Sequence, residues 1–244
     1  MKKTLAAIIN HNARAYTDQL YQSLVPYRRD DYDIMVMDNG STNPNEVSSY
    51  TTHKTGQNTY YGGALNLIFR EFLSLSEYDS LMVFNNDIIL HGYNFIQDFR
   101  DASAWWHVLS PSVIQPEQAQ CTWKQMHVWG RGTPRTVKWV DFMCPFFRRE
   151  VVEEIQQYDM ELIYGWGQDI WTGVVCEQMD WKMAVMDTQT VIHMSSQTYK
   201  DGRSNISSNE YANRAGSGMV NYFNRIGMFD KLQEFRHYGE TYSI

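Results

Sequence analysis

The stretch Leu81-Met82-Val83-Phe84-Asn85-Asn86-Asp87-Ile88-Ile89-Leu90 constrains the fold of this chain more than any other. A four-residue apolar run stops on three polar side chains, and a second apolar run begins at once. Such a run reads as a buried strand that delivers Asn85, Asn86 and Asp87 to its carboxyl end. In open α/β sheets, ligands bind in the crevice beyond the carboxyl ends of the strands. One carboxylate among amides suits a divalent cation that also holds phosphate oxygens, because such ions take few protein carboxylates. The competing reading is a strand followed by an Asn/Asp turn.

The neighbouring segments repeat the strand–helix alternation. Residues 5–9 read as a first buried strand, and a helix is expected from Thr17, as N-cap, through Leu20 and Leu24 to Pro26. Residues 33–37 form a second strand that runs into Asp38-Asn39-Gly40-Ser41-Thr42. This is the opening of a parallel α/β unit. Gly62-Gly63 starts an apolar-periodic helix, and another helix is expected over residues 95–105. In the second half, residues 108–113 read as a strand. Residues 121–142 read as β-structure around the turn Gly130-Arg131-Gly132-Thr133-Pro134. Helices follow through Val151, Val152 and Ile155, and from Asp169 to about Gln178. Residues 182–186 and 190–193 then read as two short strands, residues 195–208 as a long polar loop, and the tail from Asn209 as two helices.

At 244 residues the chain can bury a sizeable core. A formal net charge of −7 argues against wholesale coating of a nucleic acid, while leaving room for a local basic patch. Cys121, Cys144 and Cys176 lack paired metal spacing and read as free thiols in a reducing compartment. The apolar start ends too early, at Asn10-His11-Asn12, for a secretory signal, and no run approaches bilayer length. The expectation is a cytoplasmic protein without a transmembrane segment.

Taken in order, Ile9-Asn10-His11-Asn12, Asp38-Asn39-Gly40-Ser41-Thr42, Gly62-Gly63-Ala64-Leu65-Asn66, Asn85-Asn86-Asp87, Gly165-Trp166-Gly167-Gln168-Asp169 and His193 form one constellation. It resembles the motif series of the GT-A glycosyltransferases, in particular the family-2-like group that uses nucleotide-diphosphate-sugars. The resemblance covers roughly residues 4–195. It implies a Rossmann-like α/β half with a mixed central sheet over residues 1–107 and an acceptor half over residues 108–194. A loop and C-terminal helices would fill residues 195–244 of the same catalytic domain.

The resemblance also implies roles. Asn10 and Asp38 would line the base and ribose pocket, and Asn66, Asn85 and Asn86 would help hold the nucleotide-sugar, expected to be a UDP-sugar. Asp87 and His193 would ligate Mn²⁺ or Mg²⁺, and Asp169 would be the base that activates the acceptor in an inverting displacement. The sequence departs from the family at Asn85, where the first acid of the Asp-X-Asp motif is an amide, and at Gln168, where many relatives carry an acid. Asp169 is also placed to cap a helix.

Trp123, Lys124, Trp129, Arg131, Arg135, Lys138 and Trp139 interleave aromatic and basic side chains between the two chemical motifs. Trp129 and Arg131, with Trp166, are the expected acceptor contacts, and Lys200 and Arg203 would belong to a lid over the donor. The acceptor stays open between a glycan and a hydroxymethylated base in viral DNA. Rival classes are a non-catalytic glycan- or nucleotide-binding module and a nucleotide-sugar nucleotidyltransferase. The nucleotidyltransferase would want a Gly-rich basic loop, which the Asn10-His11-Asn12 region lacks.

Overall fold

A computed structural model of the chain describes residues 2–27, 30–114, 123–194 and 206–243. Strand β1 (Lys3–Asn10) is buried along all but its first residue, as a continuous apolar run at the centre of a parallel sheet must be. It pairs in parallel with β2 (Tyr32–Asp38) on one side and β4 (Tyr78–Asn85) on the other. The short β3 (His53–Lys54) extends the β2 edge. Helix α1 (Arg14–Leu24) and helix α2 (Tyr60–Ser74) are the crossovers, burying Leu20 and Leu24, and Leu65, Ile68, Phe69 and Phe72, against the sheet.

The chain continues through β5 (Ile88–His91), α3 (Phe95–Ala102), β6 (Val108–Ile114), β7 (Arg135–Val137), β8 (Phe146–Arg148) and α4 (Arg149–Ile155). It then forms α5 (Gln168–Gln178), β9 (Met183–His193), α6 (Ser208–Arg225) and α7 (Phe229–Thr241). Among the described residues the sheet order is β3-β2-β1-β4-β8-β6-β9-β5, with β7 paired to β9. Strand β8 runs antiparallel to both β4 and β6, whereas β6 and β9 are parallel.

The strand expected to deliver Asn85, Asn86 and Asp87 at its carboxyl end is β4, and the second apolar run is a strand of its own. Asn86 and Asp87 make a turn, after which β5 pairs with β9 and not with β4. Three strands thus lie between β4 and β5 in hydrogen-bond order, although only two residues separate them in sequence. Four strand spacings in a flat sheet would span about 19 Å, and three residues of chain reach about 11 Å. The sheet must therefore curl, and it does so where β8 is short and meets β6 at only two residue pairs.

Three expectations change. Thr17 lies inside α1, where its hydroxyl donates to Asn10 Oδ1 at 2.7 Å, so it ties helix to strand and caps nothing. Residues 123–142 hold one helical turn and the short β7, not a hairpin. The two strands expected between residues 182 and 193 are one strand with a bulge. Adjacent Pro111 and Ser112 face Met186 and Thr190, which leaves Asp187, Thr188 and Gln189 as surplus residues. The two tail helices form as expected, and α6 and α7 close a second apolar cluster around Trp139, Phe223 and Phe235. Cys144 and Cys176 are buried free thiols. No helix of the described residues is long and apolar enough to cross a membrane.

Candidate active site

Strands β1, β2, β4, β6 and β9 all point their carboxyl ends to one edge of the sheet. Strand β8, being antiparallel, begins at that edge, and the residues before it hydrogen-bond along β4: Val83 N–H donates to Pro145 O at 2.9 Å and Asn85 N–H to Met143 O at 3.0 Å. Helix α5 ends near the start of β9, so its first turn lies at the same edge. Topology alone therefore gathers residues 85–87, 141–145, 167–169 and 193.

The curl makes the most specific contact. Ile88 is the register partner of His193, and Asp87 Oδ1 lies 3.2 Å from His193 Nε2. Met194 N–H donates to Asp87 O at 2.8 Å and fixes the turn. The two expected metal ligands therefore meet although 106 positions separate them (193 minus 87). Adjacent donors on an octahedral cation with bonds near 2.1 Å sit about 3 Å apart, so this pair fits one ion. A carboxylate oxygen with an imidazole nitrogen suits Mn²⁺. Among the described residues no group of three or more His, Cys, Asp or Glu could hold a metal, so Asp87 and His193 stand as a pair.

Asp169 sits in the first turn of α5, behind Gly167, which caps the helix at φ 87°. Its Oδ1 accepts the Ile170 N–H at 2.8 Å. Burial, and then the charge of Asp141, push its carboxyl up to about 8, against opposing hydrogen bonds from the helix N-terminus. Burial also raises Asp141, and the His193 charge pulls it back down. Neighbouring acids that repel each other favour protonation of one of them.

Asp141 was missed in the sequence. A signal existed: it is the one acid inside the run Trp139-Val140-Asp141-Phe142-Met143-Cys144-Pro145-Phe146-Phe147, where a carboxylate needs a reason to be. Tyr61 holds this run in place, its hydroxyl donating to Phe142 O at 2.8 Å.

The amides expected to bind nucleotide form a scaffold at the ends of β1 and β2. Buried Asn10 donates to Asp38 Oδ1 at 2.9 Å and to Glu46 O at 3.0 Å. Asp38 also accepts from the Ser41 hydroxyl and backbone N–H. Buried Asn39 binds Thr59 N–H, the Thr59 hydroxyl and Tyr60 O at 3.1, 2.7 and 3.0 Å. Tyr60 is thereby held at φ 56°, a left-handed conformation that costs a bulky residue about 1–3 kcal/mol. Asn86 donates to Thr17 Oγ1 at 3.0 Å, so it braces α1, and Asn85 lies half-buried beside the Asp87 turn. Asn66 faces elsewhere: its amide clamps the Tyr158 backbone through Tyr158 N–H at 2.7 Å and Tyr158 O at 2.9 Å. This pair of hydrogen bonds to the α4–α5 connection gives Asn66 a framework role.

The Gly62-Gly63 start of α2 is a close approach. Gly62 N–H donates to Ile163 O at 2.8 Å, and a Cβ there would lie 2.5 Å from Leu162 O. Gln168 is fully buried and donates to Leu162 O at 3.1 Å, a bond that the acid found in relatives could make only when protonated.

The aromatic–basic stretch divides. Arg135 is buried in an ion pair with Asp187 at 3.0 Å, Lys138 pairs with Glu234 at 2.5 Å, and Trp139 is buried with its indole N–H on Phe235 O. Arg135 and Trp139 are packing residues and Lys138 is engaged in a surface ion pair, so these three do not join Trp129 and Arg131 in a binding face. Trp129 and Arg131 remain exposed, and Asp187 holds both of their backbone N–H groups, at 3.3 and 3.1 Å. Trp166 is 45% exposed, three residues before Asp169. Lys200 and Arg203, expected in a lid, lie outside the described residues.

Solved glycosyltransferase structures share this architecture. The structure of GalNAc-T7 with UDP, GalNAc and Mn²⁺ matches with a TM-score of 0.62 at 11% identity, over 79% of this chain and 44% of that one. The chain thus spans less than half the length of that relative. The mannosyltransferase PcManGT from Pyrobaculum calidifontis, in complex with GDP-Man and Mn²⁺, matches at 0.56 and 10% identity, over 99% of this chain and 76% of that one. TarS from S. aureus matches at 0.56 and 11%, over 91% and 72%. At such identities the likeness is one of fold, and the fold is GT-A. No curated protein sequence matches the chain. Residues 103–233, more than half of the chain, match the family described as "Protein of unknown function (DUF707)", and the chain belongs to that family.

Proposed function

We propose that this chain is a metal-dependent, inverting glycosyltransferase that moves a sugar from a nucleotide-diphosphate-sugar, with UDP the expected nucleotide, to an acceptor hydroxyl. One observation carries the reading: the Asp87–His193 pair and the Asp141–Asp169 pair stand on one edge of the sheet, linked through the electrostatic contact of His193 with Asp141. Asp87 and His193 would hold the Mn²⁺ or Mg²⁺, and a bound ion of that kind neutralises charge on a departing diphosphate. The amide scaffold of Asn10, Asp38 and Asn39 keeps the loop beyond β1 and β2 open as a rigid rim for the nucleotide.

Asp169, in this reading, accepts the proton of the acceptor hydroxyl at a carboxylate oxygen. A base is most effective when its pKa lies near the working pH, and burial beside Asp141 puts Asp169 there. Asp141 does not touch the acceptor; its charge keeps Asp169 basic. The carboxylate at the start of α5 orients the hydroxyl for in-line attack, and the leaving group departs on the Asp87 side.

The test is thermal stabilisation by a panel of nucleoside diphosphates, with and without Mn²⁺, on wild type and Asp87→Ala. Binding to the native state alone raises the melting temperature. A shift for one nucleotide that needs both Mn²⁺ and Asp87 supports the donor half. No shift with any nucleotide would refute the transferase reading and leave a binding module.

A further inference from the structure

Three tyrosines stand between the nucleotide rim and Asp169. Tyr60 opens α2, with its N–H bonded to Asn58 Oδ1 at 2.8 Å and its carbonyl to Asn39 Nδ2 at 3.0 Å. Its ring lies 4.4 Å from that of Tyr164, which in turn meets Tyr211 of α6 edge-on at 5.7 Å. Arg214, one turn along α6, donates to the Tyr164 hydroxyl at 3.1 Å, and the Tyr211 hydroxyl donates to Tyr164 O. Trp166 rests over Gly216 of the same helix, where its ring is 3.7 Å from the nearest position a Cβ would take, and it extends the wall toward Asp169. The rings are half-buried and Trp166 is exposed, so this is an aromatic surface and not part of the core.

We infer that Tyr60, Tyr164, Tyr211, Trp166 and Arg214 form the acceptor subsite, and that its occupant is a pyranose of a glycan. The inference rests on the transferase reading and goes beyond it by naming the acceptor class. The apolar C–H face of a pyranose covers an aromatic ring, while its hydroxyls need donors and acceptors at the rim, which the tyrosine hydroxyls and the Arg214 guanidinium provide. Tyr60 is held in a strained backbone conformation by hydrogen bonds on both sides, which fixes its ring in advance of binding.

Charge separates a glycan from the alternative, a base in a nucleic acid. Arg214 is matched by Glu210 at 2.5 Å, and Arg225, about three turns further along the helix, by Asp159 at 2.6 Å and Glu161 at 2.8 Å. Toward the catalytic edge stand Asp169, Asp141 and Asp87. A phosphodiester chain needs several cations to replace its counterions, and the described residues around this wall carry matched or negative charge.

The test is saturation-transfer NMR on the full chain, filled with the nucleoside diphosphate that stabilises it most and with diamagnetic Mg²⁺, since Mn²⁺ would quench the signal of a sugar bound beside it. The probes are the methyl glycosides of glucose, galactose, mannose and N-acetylglucosamine, and a short oligonucleotide of mixed sequence. At least one glycoside is expected to receive saturation on its ring C–H protons. Tyr164→Ala should reduce that signal by at least about fivefold, the scale on which ring stacking is lost, and Tyr164→Phe should keep most of it. Silence from every glycoside, a signal unchanged in Tyr164→Ala, or a Tyr164-dependent signal from the oligonucleotide would overturn the inference. Nucleotide and Mn²⁺ stabilisation of the same protein preparations separates the two readings. If it persists while the glycosides are silent, only the acceptor assignment fails. If it is absent in wild type, the transferase reading fails first. Stabilisation retained in Tyr164→Ala also shows that the variant is folded.

Discussion

Replacing Asp169 with Asn removes a carboxyl that burial, and then the Asp141 charge, hold at about 8 against an ordinary 3.8. An acid whose pKa is raised by folding stabilises the native state fully below its unfolded value. That contribution is lost as pH rises to the folded value, because the unfolded chain ionises first. The window here runs from about pH 4 to about pH 8. Each pKa unit is worth about 1.4 kcal/mol, so a rise of about 4 (8 minus 3.8) sets a ceiling of roughly 5–6 kcal/mol. Asp169 is half-buried and interacts with a second acid, so about 2–3 kcal/mol is expected in practice. Urea unfolding of wild type and Asp169→Asn across pH 5 to 9 reads this directly, without substrate or metal. Wild type should lose stability toward pH 8, and the variant should lose less, so that it overtakes wild type at the alkaline end. Two curves that run parallel over the whole range would refute the raised pKa and, with it, the assignment of Asp169 as a base tuned to neutral pH.

Other perturbations probe other parts of the site. The rate of transfer should rise with pH through a midpoint near 8, and Asp141→Asn should move that midpoint downward while leaving it above the ordinary carboxylate range, because burial is the larger cause; an unmoved midpoint would show that the two acids do not interact. His193→Ala should weaken Mn²⁺ by at least about tenfold in an electron paramagnetic resonance titration, since even outer partners of a metal ligand contribute that much; an unchanged titration would remove His193 from the ion. Arg135→Met strands the buried Asp187 carboxylate and the Gln125 and His127 carbonyls and should cost about 3–5 kcal/mol in urea unfolding, with part of it restored by adding Asp187→Leu. A cost under about 1 kcal/mol would mean that water reaches the pair.

Local chemistry made the nucleotide half legible. The runs at β1, β2 and β4 are apolar without interruption because both faces of a parallel strand are covered, and each ends where polar side chains begin. The second half was harder to read. Its strands are short, they switch direction, and their partners lie far away in sequence, as β8 does between β4 and β6. No local pattern announces a curl, so the sequence marked the end of β4 at residues 85–87 without showing that the next strand pairs far away, with β9. The pairing of Asp87 with His193 was accessible only through the resemblance. Thr17 looked like a cap because caps and helix-interior tethers use the same hydroxyl, and only the position of Asn10 distinguishes them. Arg135, Lys138 and Trp139 looked like a binding face because periodicity does not report that an Asp some fifty residues later (187 minus 135 is 52) buries the arginine.

The bulge in β9 serves the metal pair. Asp187, Thr188 and Gln189 are surplus residues, and side chains alternate between the two faces of a strand. Beyond the bulge, the ladders to β6 and β5 set the face of each side chain: Thr190, Val191 and Ile192 lie opposite Ser112, Val113 and Ile114, and His193 lies opposite Ile88. The surplus residues take up the length that lets both ladders hold at once, and with them the meeting of His193 and Asp87. A deletion that slips this register by one residue would turn the imidazole to the opposite face and carry it away from Asp87, with neither residue changed.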